Sequence, residues 1–182
     1  MRLTMMVPGP ADRSRRAVFG EAGLPIEPDR RRARAGASVL SGPEPACVRT
    51  AAVVAESAEV PTVPGLGGPD LGRWAGLTPE RVLDADPAGL QAWLRDPDAS
   101  PHGGESLAGH LRRVAGVLDS FAWPAAGAVV VASLFTVRAA CVHALRAGPE
   151  SLLHLDLTPG TTAAISRNGD TWRLTSVLPG GR

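Results

Sequence analysis

The stretch VVVASLFTVRAACVHAL, Val129–Leu145, constrains the fold more than any other. It opens on consecutive valines, apolar on both faces. Such a run fits a strand buried from both sides, as in a parallel sheet covered by helices. After the turn Ala132-Ser133-Leu134-Phe135-Thr136 the spacing predicts a helix over Val137–Arg146. A strand running through a short turn into a helix belongs to an α/β sheet, and the carboxyl end of such a strand is where sites form. This turn holds no histidine, no acid and no glycine.

The rest of the chain supplies the partners. Leu3–Val7 reads as a short buried strand stopped by Pro8-Gly9-Pro10, and ASVLSGP as a second. Residues 8–36 are rich in Arg, Pro and Gly and hold at most one or two short helices. EPACVRTAAVVAESAEV has helical spacing, with Cys47, Ala51, Val54 and Ala58 on one side. VPTVPGLGGPDLGRW is loop with room for one short strand. TPERVLDADPAGLQAWLRDPDASP gives two helical pieces, Thr78 capping the first and Pro79 opening it. GGESLAGHLRRVAGVLDSF is an amphipathic helix whose apolar stripe is Leu107, Leu111, Val114, Val117 or Leu118, and Phe121. SLLHLDL reads as a strand, followed by a hairpin turning at Asn168-Gly169. Strands alternating with helices and closed by a hairpin predict an α/β three-layer sandwich with a mostly parallel mixed sheet. At 182 residues the chain suits one domain, 1–182, with a sizeable core.

Hydrophobic content of 44% and charged content of 20% are those of a globular protein. All 19 basic residues are arginine, the mark of GC-rich coding. A net charge of +1 provides no global field for nucleic acid. The charge is uneven: residues 1–35 hold eight arginines against four acids. The run Arg30–Arg34 has no interleaved aromatics for stacking bases, so it reads as a solvated face and no nucleic-acid partner is expected. Cys47 and Cys141 give neither a disulfide framework nor metal spacing, and no nucleotide motif occurs; no metal and no cofactor are expected. The apolar run before Pro8 is too short for a secretory signal, and no span approaches the ~20 apolar residues that cross a bilayer. A cytoplasmic protein without a membrane partner is the expectation, its oligomeric state open.

In chain order, four segments resemble the histidine phosphatase superfamily, the phosphoglycerate mutase-like fold. MRLTMMVPGP is similar to the family's first strand, which ends in Arg-His-Gly. LSGPEPACVRTAAVVAE resembles the segment Ser-Ser-Pro-x-x-Arg-Ala-x-Gln-Thr-Ala. DLGRWAGLTPERV and HGGESLAGHLRRV resemble the Asp-Phe-Gly-x-Trp-Glu-Gly and Gly-Gly-Glu-Ser elements. VVVASLFTVRAACVHAL resembles the strand and helix Val-x-Ser-His-Gly-Gly-Val-Ile-Arg. The resemblance covers nearly the whole chain, with a shorter segment between the first two strands than the family usually has. It implies a fold in which an Arg-His pair, a second Arg and a second His surround a phosphoryl group, the first His becoming phosphohistidine and a nearby acid protonating the leaving group. On this chain the pair falls on Val7 and Pro8, the second Arg on Ala46, the second His on Ser133 and the acid on Gly68. A phosphate dianion needs several charge-assisted donors, and the transition state needs them more. The resemblance therefore implies a fold without phosphoryl transfer.

Three readings follow. In the first, the pocket serves a neutral, largely apolar small molecule, with Val7, Pro8, Ala46, Leu134 and Phe135 as its apolar wall. Asp70, Ser106 and Thr136 are then polar lining groups. Glu105, His102 and Ser133 would carry cofactor-free acid/base chemistry: cyclisation, isomerisation or dehydration. Burial in an apolar cavity would raise the Glu105 pKa toward the working pH; its plainer role is a carboxylate at a helix N-terminus. His102 would shuttle protons, or simply be an exposed loop histidine. Ser133 with His102 and Glu105 or Asp70 could compose a hydrolase triad, without the Gly-x-Ser-x-Gly elbow. Cys47 near a helix start is a nucleophile or a packed small side chain. His110, His143 and His154 read as packed or surface residues, the last in a strand. In the second reading the chain is non-catalytic and binds a partner protein or metabolite. In the third, Arg13, Arg49 or Arg138 rebuilds a phosphate site.

Overall fold

The structure, a computed structural model, describes residues 1–9 and 38–180. In chain order its elements are β1 (Arg2–Met6), β2 (Ser38–Ser41), α1 (Pro45–Ala55), α2 (Pro79–Ala85), α3 (Pro87–Arg95), α4 (Leu107–Ser120), β3 (Ala128–Val131), α5 (Leu134–Leu145), β4 (Thr162–Asn168) and β5 (Thr171–Leu178). The expectations for residues 10–36, including Arg13 and the Arg30–Arg34 run, lie outside the described residues.

The strands form one mixed sheet in the order β2-β3-β1-β4-β5. β3 pairs in parallel with both β1 and β2, and the β4–β5 hairpin adds to β1 antiparallel. β1 is central: Leu3 faces Ala128 on one side and Ile165 on the other. The pleat sends alternate side chains to opposite layers. Met6, Val129 and Val131 pack with Cys47 and Ala51 of α1. Leu3, Met5 and Val130 join the larger core on the other face, with Val137 and Ala140 of α5 and Val114 and Leu118 of α4. Helices thus cover both faces of the sheet, the α/β sandwich that the sequence predicts.

Three local expectations are corrected. The last helix begins at Leu134 rather than Val137, because Ser133 caps it: its Oγ accepts the Thr136 N–H at 3.2 Å. This helix is buried from Thr136 through Ala144, apart from Arg138 and His143, so it has no polar stripe to mark its limits. SLLHLDL is not a strand. Pro149 opens a 3-10 turn, Pro149–Leu153, which buries Leu152, and His154 follows it. In the hairpin Asn168 pairs with Thr171, so the connection is Gly169-Asp170, one residue later than expected; Gly169 takes φ +57 in its first position.

Thr78 does cap α2, accepting the Arg81 N–H, with Pro79 at the first helical position. Among the described residues no helix is long and apolar enough to cross a membrane.

Candidate functional site

The three parallel strands end side by side. The Ala132 N–H donates to Met6 O at 3.0 Å, and the Gly42 N–H donates to Val131 O at 2.7 Å. Val7-Pro8, Ala46 at the start of α1, and the Ser133–Thr136 segment follow these strand ends. The loop Pro64–Gly68 comes against them: a side chain built on Gly68 would place its Cβ 3.2 Å from both Ser133 Oγ and Glu44 Oε1. The residues that the family resemblance assigns to phosphate therefore converge, and none of them carries a charge.

Val7, Pro8, Ala46 and Thr136 are buried, while Ser133, Leu134 and Phe135 are half-buried. Ser133 Oγ lies 2.9 Å from Thr136 Oγ1, which in turn donates to Gly67 O at 2.9 Å. The Ser133 proton thus goes to Thr136. Leu134 and Phe135 belong to the first turn of α5 and pack on the main core. The Phe135 ring lies 5.9 Å from Trp93, with the Arg138 guanidinium 5.5 Å over it.

His102 is 2% exposed. Its ring sits 4.8 Å from Trp74 and 6.2 Å from Trp93, and its Nδ1 accepts the Gly104 N–H at 3.0 Å. That bond assigns the proton to Nε2, which has no hydrogen-bond partner and faces aromatic surroundings. Burial, opposed by Asp70 and aided by Arg73, holds its pKa below the ordinary histidine value. His102 is a neutral packed group here, not an exposed loop histidine. Asp70 Oδ1 accepts the Gly72 N–H at 2.9 Å and Asp70 O the Glu105 N–H at 2.7 Å, so this residue ties two loops together. Ser106 caps α4 through the Gly109 N–H at 3.0 Å.

Glu105 departs most from expectation. Burial alone would raise its pKa, but Arg113, with help from His110, holds it below the ordinary carboxylate value. Arg113 grips it bidentately, Nε to Oε1 at 2.9 Å and Nη2 to Oε2 at 2.7 Å. The same guanidinium donates to Gly65 O, Gly67 O and Gly68 O at 2.8, 3.1 and 3.0 Å. It also reaches Nδ1 of His110, a fully buried side chain that burial and the Arg113 charge keep below the ordinary histidine pKa. Glu105 is thus an ionised anchor, and Ser133 bonds neither it nor His102. No triad is assembled.

Two residues at this end were not picked out from the sequence. Arg113 holds the Pro64–Gly68 loop; its signal was a position eight residues, about two turns, after Glu105. Glu44 sends its carboxylate to the Gly68 N–H; its signal was an acid immediately before a helix-opening proline. Burial, and then the charge of Glu44, push the Cys47 thiol far up; burial pushes Cys141 up to about 11. Both cysteines are buried, packed side chains. Among the described residues no three His, Cys, Asp or Glu side chains gather to hold a metal ion.

Two surface cavities, of about 310 and 370 Å³, lie at the opposite end of the strands. One is lined by His143, Arg146 and Asp170, the other by Met1 and Gly169, where β1 begins and the hairpin turns.

Comparison with known proteins agrees with this geometry. A bifunctional protein of Mycobacterium tuberculosis, Rv2228c, is 33% identical over 139 residues, which are 73% of this chain and 38% of that protein. An uncharacterised protein of Mycobacterium bovis, Mb2253c, matches to the same extent. The chain spans well under half the length of these relatives. Among solved structures, the mycobacterial glucosyl-3-phosphoglycerate phosphatase Rv2419c superposes with a TM-score of 0.75 at 24% identity, covering 99% of both chains. The α-ribazole phosphatase of Shigella flexneri gives 0.77 at 17% identity, covering 100% of this chain and 99% of that one. At these identities the two structures speak for the fold alone. The pattern of the histidine phosphatase superfamily, branch 1, matches residues 29–178, and by that match the chain belongs to this superfamily.

Proposed function

We propose that this chain is a non-catalytic member of the superfamily, a binding scaffold for a partner protein or metabolite that no longer transfers phosphoryl groups. Ser133 carries this reading. At the strand end where the family presents its second histidine, a serine caps α5 and gives its proton to Thr136. A caged hydroxyl offers a phosphoryl group neither a nucleophile nor a proton donor. Val7, Pro8, Ala46 and Gly68 add no cation or acid. The test is hydrolysis of p-nitrophenyl phosphate, glucosyl-3-phosphoglycerate and α-ribazole phosphate. The expected result is release of phosphate no faster than in buffer. Turnover that vanadate abolishes and that disappears in Ser133→Ala would overturn the reading.

One observation favours a second reading. Leu134 and Phe135 remain half-exposed beside the buried Val7, Pro8 and Ala46, an apolar surface at the strand ends. A neutral, apolar small molecule would suit it. Glu105, ionised and locked to Arg113, is a poor general acid for it, so this reading is one of binding rather than cyclisation, isomerisation or dehydration. Native mass spectrometry of the purified chain decides between the two. A stoichiometric lipophilic adduct, lost in Phe135→Asp, favours the second; a bare chain favours the first.

A further inference from the structure

Charged side chains that the strand ends lack gather at the far end of the sheet, around one of the two surface cavities. This cavity holds about 310 Å³, within the roughly 300–1,000 Å³ of small-molecule sites. Three elements close it. Asp119 comes from the last turn of α4, His143 and Arg146 from the end of α5, and Asp170 and Trp172 from the β4–β5 hairpin. Leu111 of α4 adds an apolar wall.

The acids are fixed in place. Asp119 Oδ1 accepts two bonds, from Trp172 Nε1 at 2.9 Å and from His143 Nε2 at 3.0 Å. Trp172 is 3% exposed, so this acceptor is anchored to the core. Arg167 donates to Asp119 O at 3.0 Å and is the counter-ion of Asp170, 3.4 Å from its Oδ1. Asp119 Oδ2 accepts no hydrogen bond from the described residues.

Arg146 stands apart from them. Its guanidinium donates only to Thr171 Oγ1, at 3.3 Å, and pairs with no carboxylate of the described residues. Its φ is +56, the left-handed conformation in which a helix ordinarily ends on glycine. The Arg146 N–H donates to His143 O at 3.0 Å and the Ala147 N–H to Val142 O at 3.1 Å, so the backbone closes the helix without using the side chain. An arginine thus occupies a position that glycine fills at less cost. A cation and an anion line one small cavity without meeting.

We infer that this cavity is a binding site for a small zwitterion of the α-amino-acid class: Arg146 takes its carboxylate, Asp119 Oδ2 takes its ammonium, and its side chain lies along Leu111. A planar fork of guanidinium donors matches a carboxylate. A lone anion would face Asp119 and Asp170, and a lone cation would face Arg146, so charge complementarity selects a molecule that carries both. The inference goes beyond the reading of the strand ends and does not depend on it.

Calorimetry on the whole chain tests it. The probes are L-leucine, L-methionine and L-phenylalanine, each with its counterparts lacking the amino or the carboxyl group (for leucine, 4-methylpentanoate and 3-methylbutylamine). The expected result is saturable binding of at least one amino acid, with both of its counterparts at least tenfold weaker. Arg146→Gly should weaken the amino acid at least tenfold while Tm stays at or above the wild-type value, because glycine suits the left-handed position. Asp119→Asn keeps an acceptor for Trp172 and His143; it should weaken the amino acid tenfold and leave the carboxylate counterpart unchanged. Absence of saturable binding for all three amino acids overturns the proposal. So does a counterpart that binds as tightly as its amino acid, or undiminished binding in Arg146→Gly. Hydrolysis of an aryl phosphate would refute the strand-end reading and leave these results untouched.

Discussion

Arg113 organises the strand-end region. One guanidinium compensates Glu105 and satisfies three loop carbonyls. Removing it leaves a carboxylate and several carbonyls without their donor. For this half-buried pair Arg113→Met should cost about 2–3 kcal/mol, read from urea unfolding. Arg113→Lys should recover under half of that, because an ammonium cannot replace a planar fork. His110 and Glu105 give the chain an acid-sensitive point. Their folded pKa values lie below their unfolded ones, so their contribution is complete above the unfolded values and is lost as pH falls through the folded ones. Stability should therefore decline below about pH 6.5, where unfolded histidine starts to take up protons. His110→Gln should flatten the Tm profile between pH 7 and 5; an unchanged slope would remove His110 as its cause. The acid at the start of α4 was legible in GGES, but its partner was not. Arg113 sits in a run, His110-Leu111-Arg112-Arg113, where basic residues read as a solvated face. Only the loop returning over α4 shows that Arg113 faces inward while Arg112 lies 72% exposed.

Turns and caps set the limits of the elements. Gly72 adopts φ +45, and a Cβ there would lie 2.3 Å from His102 O; one on Gly104 would lie 2.2 Å from Asp70 O. The two loops cross with no space for a methyl group. Gly72→Ala should cost about 3 kcal/mol, seen as a fall in Tm, through both the strained backbone and the clash. Ser133→Ala should cost about 1 kcal/mol through loss of the α5 cap. The helices with a polar face, α2, α3 and α4, were readable because their caps and apolar stripes agree. Asp86 ends α2 and caps α3 through the Gly89 N–H, which the Asp86-Pro87 pair signals. The start of α5 was hidden because a helix buried all round has no period, and Leu134-Phe135-Thr136 suits a strand equally well. SLLHLDL misled for the converse reason: its alternation suits a strand, but Pro149 and packing of Leu152 in the core impose a helical turn.

At the scale of the molecule, the sheet depends on its first strand. β1 hydrogen-bonds to β3 on one side and β4 on the other, although the superfamily pattern begins only at residue 29. A chain starting at residue 29 would leave β2-β3 and the β4–β5 hairpin with two open edges and no strand to join them. It should show no cooperative unfolding transition by circular dichroism. Layer order was legible because one apolar strand, Val129–Val131, demanded cover on both faces; the strand order was not, since no local signal says that residue 3 meets residue 128. Those pairings have a consequence for how the chain comes off the ribosome. β1 is made long before the strands it joins, and its apolar side chains, Leu3, Met5 and Met6, are buried in the folded sheet. At roughly 5–20 residues per second, the nascent chain carries this strand unpaired for on the order of 10 s before Ala128 is joined. Folding with such long-range pairings is slow. β1 is therefore the natural grip for a chaperone that binds extended apolar peptide, and the sheet closes only once β3 and β4 have been made.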